Sequence, residues 1–179
     1  LTPAQNAQKY YKKYNKQKRT LAAVAPQKEE ALSDLDYTNS MLSALARAEN
    51  MLDLAEIEEE LRAAGLLPPL KKKAKQAPAV PFRTFEKDGF FIFAGRNNVQ
   101  NDRLLREAAG GDIWLHTQKY HSAHVLIRTE GKKVPDAVLL AAAEICAHFS
   151  DGQAGNKIPV DWCERRFVKK PPKSKAGFV

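Results

Sequence analysis

The chain has 179 residues, 44 % of them apolar and 28 % charged, with a net charge of +8. That is enough apolar material for a core and too much for wholesale disorder. No apolar run approaches the roughly 18 residues that cross a bilayer, and the first residues lack the basic and apolar regions of a secretory leader. Cys146 and Cys163 form neither a CxxC pair nor a disulfide framework. Reduced thiols, a cytoplasmic location and no membrane partner follow as expectations. The chain opens at Leu1-Thr2-Pro3 without an initiator Met and reads as a piece of a longer protein.

Charge is partitioned along the chain. Residues 1–28 hold seven basic groups and no acid: Lys9, Lys12, Lys13, Lys16, Lys18, Arg19 and Lys28. Residues 29–66 hold ten acids against Arg47 and Arg62, and residues 67–179 hold twenty Lys and Arg against eleven acids. Blocks of one sign suggest separate partners, and a basic block most often meets phosphate. The alternative for residues 9–19 is the solvated face of a helix.

Residues 3 to about 65 read as a helical arm. One heptad site runs through Tyr14, Leu21, Lys28, Leu35, Leu42 and Glu49, the other through Gln17, Val24, Ala31, Thr38, Leu45 and Leu52. That alternation of three and four is a coiled-coil seam and needs a partner helix, from the parent protein or a second copy. Pro26 is expected to kink or interrupt the helix. A break is expected at Glu49–Asp53, then a second amphipathic stretch on Leu54, Ile57 and Leu61 that ends at Gly65. Residues 66–81 carry four Pro and the cluster Lys71, Lys72, Lys73 and Lys75, a basic linker.

From Phe82 to Val179 the pattern is that of a compact α+β domain, so the fold class is α+β with a long N-terminal coiled-coil helix. Phe82–Phe85 and Phe90–Phe93 flank Lys87-Asp88-Gly89, a hairpin signature. Helices are expected over Asn101–Ala109 and Pro135–Ser150. Strands are expected at Ile113–Thr117, His124–Arg128, Ile158–Cys163 and Phe167–Lys169.

Several strings carry candidate chemistry. Gly95-Arg96-Asn97-Asn98, followed by Gln100-Asn101-Asp102, falls where a strand meets a helix; Arg96 and exposed amides could hold a phosphate there, or the Asn residues could simply cap the helix. In Asp112-Ile113-Trp114-Leu115-His116, Trp114 and His116 share one face, either to stack a base or as a buried Trp beside a bonded His. Arg165-Arg166 and Lys169, Lys170, Lys173 and Lys175, stiffened by Pro171-Pro172, suit a nucleic-acid backbone, or form a disordered tail. His121, His124, Cys146 and His148 could make a zinc site only on paper, with no local metal signature, and no catalytic fingerprint is present. Neither a cofactor nor a metal is expected, and the chain reads as a binding protein rather than an enzyme.

Together these strings resemble the NFACT family of ribosome-associated quality-control proteins, some known by the older name of fibronectin-binding proteins. Leu1-Thr2-Pro3, Asn6–Tyr11 and Tyr14-Asn15-Lys16 are similar to the distal end of that family's coiled-coil arm, and Glu56–Leu61 with Gly65-Leu66 to its return. Residues 82–179 resemble the C-terminal RNA-binding module through Gly95–Asn98, Gln100–Asp102, Asp112–His116 and His124–Arg128. Val160-Asp161-Trp162, Val168–Pro171 and Gly177-Phe178-Val179 also fit. Where the family usually has Pro-Gly-Ser-His, this chain has His121-Ser122-Ala123-His124.

The resemblance implies binding to an obstructed large ribosomal subunit, with rRNA and tRNA as partners. It further implies recruitment of tRNA, alanyl-tRNA in a bacterial member, for C-terminal tailing without mRNA, the bond being made by the ribosome. Residues expected to meet RNA are Arg96, Asn97, Asn98, Asn101, Trp114, His116, His124, Arg128, Lys169, Lys170, Lys173 and Lys175. On the arm, Lys9, Lys12, Lys13, Lys16, Lys18 and Arg19 are expected to meet the ribosome. The alternatives are a fibronectin-binding adhesion or protein-interaction fragment and, last, a metal-dependent nuclease.

Overall fold

The computed structural model describes residues 1–69, 80–152, 157–172 and 174–179. Of the linker read at 66–81, residues 70–79 lie outside the described residues, with Lys71, Lys72, Lys73 and Lys75 among them; so does Lys173. The chain forms two compact units, Leu1–Thr38 and Asn39–Val179.

Helix α1 runs unbroken over Pro3–Ala46, 44 residues, with Pro26 inside it. Its length is about 66 Å at 1.5 Å per residue. The expected interruption at Pro26 does not occur. The proline removes one backbone donor, and the helical turns continue on either side of it.

The break comes at residues 47–50, and helix α2 follows over Met51–Ala63. Asn50 caps α2 by accepting from the backbone N–H groups of Leu52 and Asp53 at 2.9 and 3.0 Å, the geometry that terminates one helix and starts another. Gly65, at φ +75°, closes α2 in the left-handed conformation that glycine adopts without strain. The heptad therefore does not continue through Glu49 and Leu52. Within residues 39–46, Leu42 and Leu45 are exposed, whereas Ser40, Met41 and Ala44 are buried. On α2, Asp53, Ile57 and Glu60 are the buried stripe, rather than Leu54, Ile57 and Leu61.

The rest of the second unit is a five-stranded antiparallel sheet in the order β1-β2-β4-β3-β5. Strands β1 (Arg83–Lys87) and β2 (Phe90–Ala94) form a hairpin closed by Asp88 at φ +49° and Gly89 at φ +75°. Two central residues with positive φ make the tight turn whose twist matches its strands. Helix α3 (Asn98–Glu107) leads to β3 (Ile113–Thr117) and β4 (Val125–Ile127), then α4 (Asp136–His148) and β5 (Val160–Glu164). The strand expected at 167–169 is absent: Arg165–Phe167 is a 3-10 turn, pinned by the Arg165 side chain, which donates to the Leu105 and Val168 carbonyls.

Alternation along the strands gives the sheet two apolar faces. Ile92, Ala94, Leu115, Val125 and Ile127 pack under Val138, Ala142 and Cys146 of α4. On the opposite face Trp114 and Leu126 pack under Leu104 and Leu105 of α3, with Phe82, Phe93, Cys163 and Val168 at the margin. The junctions around α3 gather on this second face.

Candidate nucleic-acid interface

The β2–α3 junction is a knot of bonded polar side chains. Asn97 caps α3, its Oδ1 accepting from the Gln100 N–H at 2.8 Å, and its Nδ2 donates to Glu56 at 2.8 Å. Gln100 Nε2 donates to the same Glu56 carboxylate at 2.6 Å. Asn98 donates to Ser40 Oγ at 2.9 Å, and Asn101 Oδ1 accepts the His124 N–H at 3.0 Å. All four are buried. Gly95 is required by close approach: a Cβ there would stand 2.1 Å from Asn101 Oδ1 and 3.1 Å from its backbone nitrogen.

Arg96 donates to Glu49 at 3.2 Å and to both oxygens of Asp53 at 3.3 and 3.2 Å. Arg83, beside it, donates twice to Glu49, at 3.1 and 3.0 Å. Part of the acidic block of residues 29–66 thus compensates two arginines of the sheet domain. The guanidinium of Arg96 already has its anions; Arg96, Asn97 and Asn98 hold α2 and the end of α1 against the domain, and Asn101 ties α3 to the His124 backbone.

Trp114, His116 and His124 do come together. The Trp114 and His116 rings are parallel at 5.8 Å, and His124 meets both edge-on at 5.4 and 5.2 Å. Trp114 and His124 are buried and His116 is half-buried. Burial pushes the His124 imidazole down to about 3; the His116 ring adds to the depression, and a hydrogen bond to the Gly177 backbone opposes it. Burial likewise lowers His116. Trp114 Nε1 and His124 Nδ1 find no protein partner among the described residues.

The C-terminal segment closes over this corner. Asp102, on α3, pairs with Lys170 and accepts the Gly177 N–H at 3.1 Å. Gly177 stands at φ +81°, and a Cβ there would come within 2.6 Å of Asn98 Oδ1. Lys169 is exposed, without a bonded partner among the described residues, and Lys175 is half-buried. In the sequence Asp102 stands in the Gln100-Asn101-Asp102 string without this anchoring role, and nothing along the chain links it to Lys170, 68 residues on. Arg128 is exposed, with its guanidinium 5.1 Å from the centre of the Phe93 ring. Lys9, Lys12, Lys13, Lys16, Lys18 and Arg19 are all exposed along α1.

Among the described residues no three of His, Cys, Asp and Glu stand where they could share a metal ion, and no helix is long and apolar enough to cross a membrane. The Cys146 thiol is buried against Ser122 and the Ala123 carbonyl, and burial pushes it up to about 12.

An antiparallel sheet carrying one helix on each face, with a basic tail latched to the first turns of α3, is the part of this chain that matches the model described as the NFACT protein RNA binding domain, over residues 80–177. Residues 1–79 match the model of the NFACT N-terminal and middle domains. The chain belongs to the NFACT family. It is 39 % identical over 183 residues to the Rqc2 homolog RqcH of Bacillus subtilis and 36 % identical to that of Streptococcus suis over 181 residues, matching 99 and 100 % of its own length. It spans about a third of those relatives, 32 % of each. A solved structure, the C-terminal of the fibronectin/fibrinogen-binding protein from Streptococcus suis, superposes with a TM-score of 0.87 at 35 % identity, covering 99 % of this chain and 72 % of that one.

Proposed function

We propose that residues 80–179 bind RNA and that the chain is the arm and RNA-binding part of a ribosome-associated quality-control factor. Such a factor binds the obstructed large subunit, contacts rRNA and recruits tRNA, alanyl-tRNA in a bacterial member, for C-terminal tailing without mRNA. In this reading the chain performs no bond-making of its own, works in the cytoplasm and needs no cofactor. The observation that carries the reading is the latch of Lys170 and Gly177 on Asp102, which holds the basic segment against α3 in a domain that matches the RNA-binding family model. The exposed cations of α1 supply a second phosphate-binding stripe, on a helix whose seam positions Tyr14, Leu21, Val24 and Leu35 are open to a partner helix.

The test is binding of fluorescent tRNA and of large ribosomal subunits as a function of salt. Affinity is expected to fall steeply between 50 and 200 mM salt, and Lys169→Gln to flatten the slope of log K against log salt by roughly one. Binding indifferent to salt would overturn the reading. The similarity to a fibronectin/fibrinogen-binding protein favours one alternative, capture of fibronectin; capture that survives competition by tRNA would support it.

A further inference from the structure

The α3 face of the sheet is only partly covered. Leu104 and Leu105 lie over Leu126 and Trp114, but at the hairpin end Phe91 is 46 % exposed although it is the second residue of a strand. Phe91 and Phe93 are two apart on β2 and point to the same face, with ring centres 6.4 Å apart and planes 32° from parallel. Phe82 meets Phe93 edge-on at 6.3 Å. The row of three rings is flanked by two guanidinium groups, Arg103 at 4.2 Å from the Phe82 centre and Arg128 at 5.1 Å from the Phe93 centre. Arg103 is engaged with the Val80 carbonyl at 2.8 Å and with Glu107 at 3.6 Å. Arg128 is exposed, and no carboxylate pairs with it among the described residues.

An exposed Phe on a sheet face offers a flat π surface to any base, and an uncompensated guanidinium beside it offers the matching charge to the phosphate that follows. We propose that Phe91, Phe93 and Arg128 form a stacking platform for unpaired bases of single-stranded RNA, separate from the phosphate contacts of the basic tail. The proposal rests on the RNA-binding reading above. Glu86 stands across from Phe91 on β1 and repels phosphate from the hairpin edge, so the backbone runs on the Arg128 side. A duplex, whose bases are already stacked, gains nothing from such a platform.

The experiment uses the full chain with a labelled 12-nucleotide single-stranded RNA and a duplex of equal length, each with wild type, Phe91→Ala, Phe91→Leu, Phe91→Tyr and Phe91→Ala with Arg128→Gln. Melting temperatures confirm that each variant is folded. Phe91→Ala and Phe91→Leu are expected to weaken single-strand binding about tenfold, Phe91→Tyr to restore it and the double variant to weaken it further, while duplex binding by the three single variants stays within about twofold. RNA carrying 4-thiouridine is expected to crosslink to the tryptic peptide 88–96. Leu binding as well as Phe, equal losses on single strand and duplex, or no crosslink to that peptide would overturn the platform while leaving RNA binding standing. No binding of either RNA by wild type would remove both readings. Self-association of the chain that Phe91→Ala abolishes would assign the face to a second copy instead and overturn the proposal.

Discussion

Asp53 is 1 % exposed and faces the Arg96 guanidinium, while Glu49 at the head of α2 is shared between Arg96 and Arg83. Removing one partner of a buried pair leaves an uncompensated charge, which costs far more than the pair contributes. Arg96→Ala is therefore expected to lower unfolding stability by about 3 kcal/mol in urea titrations, while the RNA affinity of the folded protein stays within about twofold. A large loss of affinity at full stability would return Arg96 to the phosphate-binding set. His124 makes a second prediction. Its ring is neutral in the folded chain down to about pH 3 and takes up a proton near 6.5 once unfolded. The unfolded state binds more protons between those values, so the stability that the buried neutral ring contributes is complete above about 6.5 and is lost as pH falls toward 3, at about 1.4 kcal/mol per pH unit. Urea titrations from pH 7 to pH 4 check this: His124→Gln should flatten the decline relative to wild type. At both positions the side chain's identity was visible in the sequence, and its burial was not.

The elements were legible where local rules decide them. The Asp88-Gly89 turn, the α4 helix and the strand Ile113–Thr117 follow from turn chemistry and periodicity. Start points slipped where two residues could cap: α3 begins at Asn98, capped by Asn97, rather than at Asn101, which turns inward to hold the His124 N–H. The long helix illustrates a different limit. Its heptad seam is intact from Tyr14 to Leu45, and Leu21, Leu35 and Leu42 are 74, 57 and 59 % exposed. Apolar residues at that spacing lower their free energy only against another helix. The isolated chain is thus expected to self-associate at high concentration in sedimentation velocity runs. Leu21→Lys with Leu35→Lys should return it to a monomer; a wild-type chain that is monomeric at all concentrations would show that the seam is too weak to dimerise.

Over the whole molecule, the three charge blocks divide the work. Part of the acidic block is spent inside the second unit, where Glu49, Asp53 and Glu56 engage Arg83, Arg96, Asn97 and Gln100. The basic stripe of α1 and the cations Arg128 and Lys169 keep theirs on the surface, which is why the salt dependence expected of RNA binding belongs to the molecule rather than to a single residue. Composition, the blocks of charge, the hairpin and the alternation of Trp114 with His116 are properties of neighbours along the chain, so the amino-acid order alone determined them, along with the α+β class. Which charges are cancelled and which remain for a polyanion depends on groups dozens of residues apart, as with Arg96 and Asp53 or Lys170 and Asp102. Coulomb attraction and desolvation act through space, so only the folded chain could sort the arginines and lysines into those that hold the domain together and those left to meet a partner.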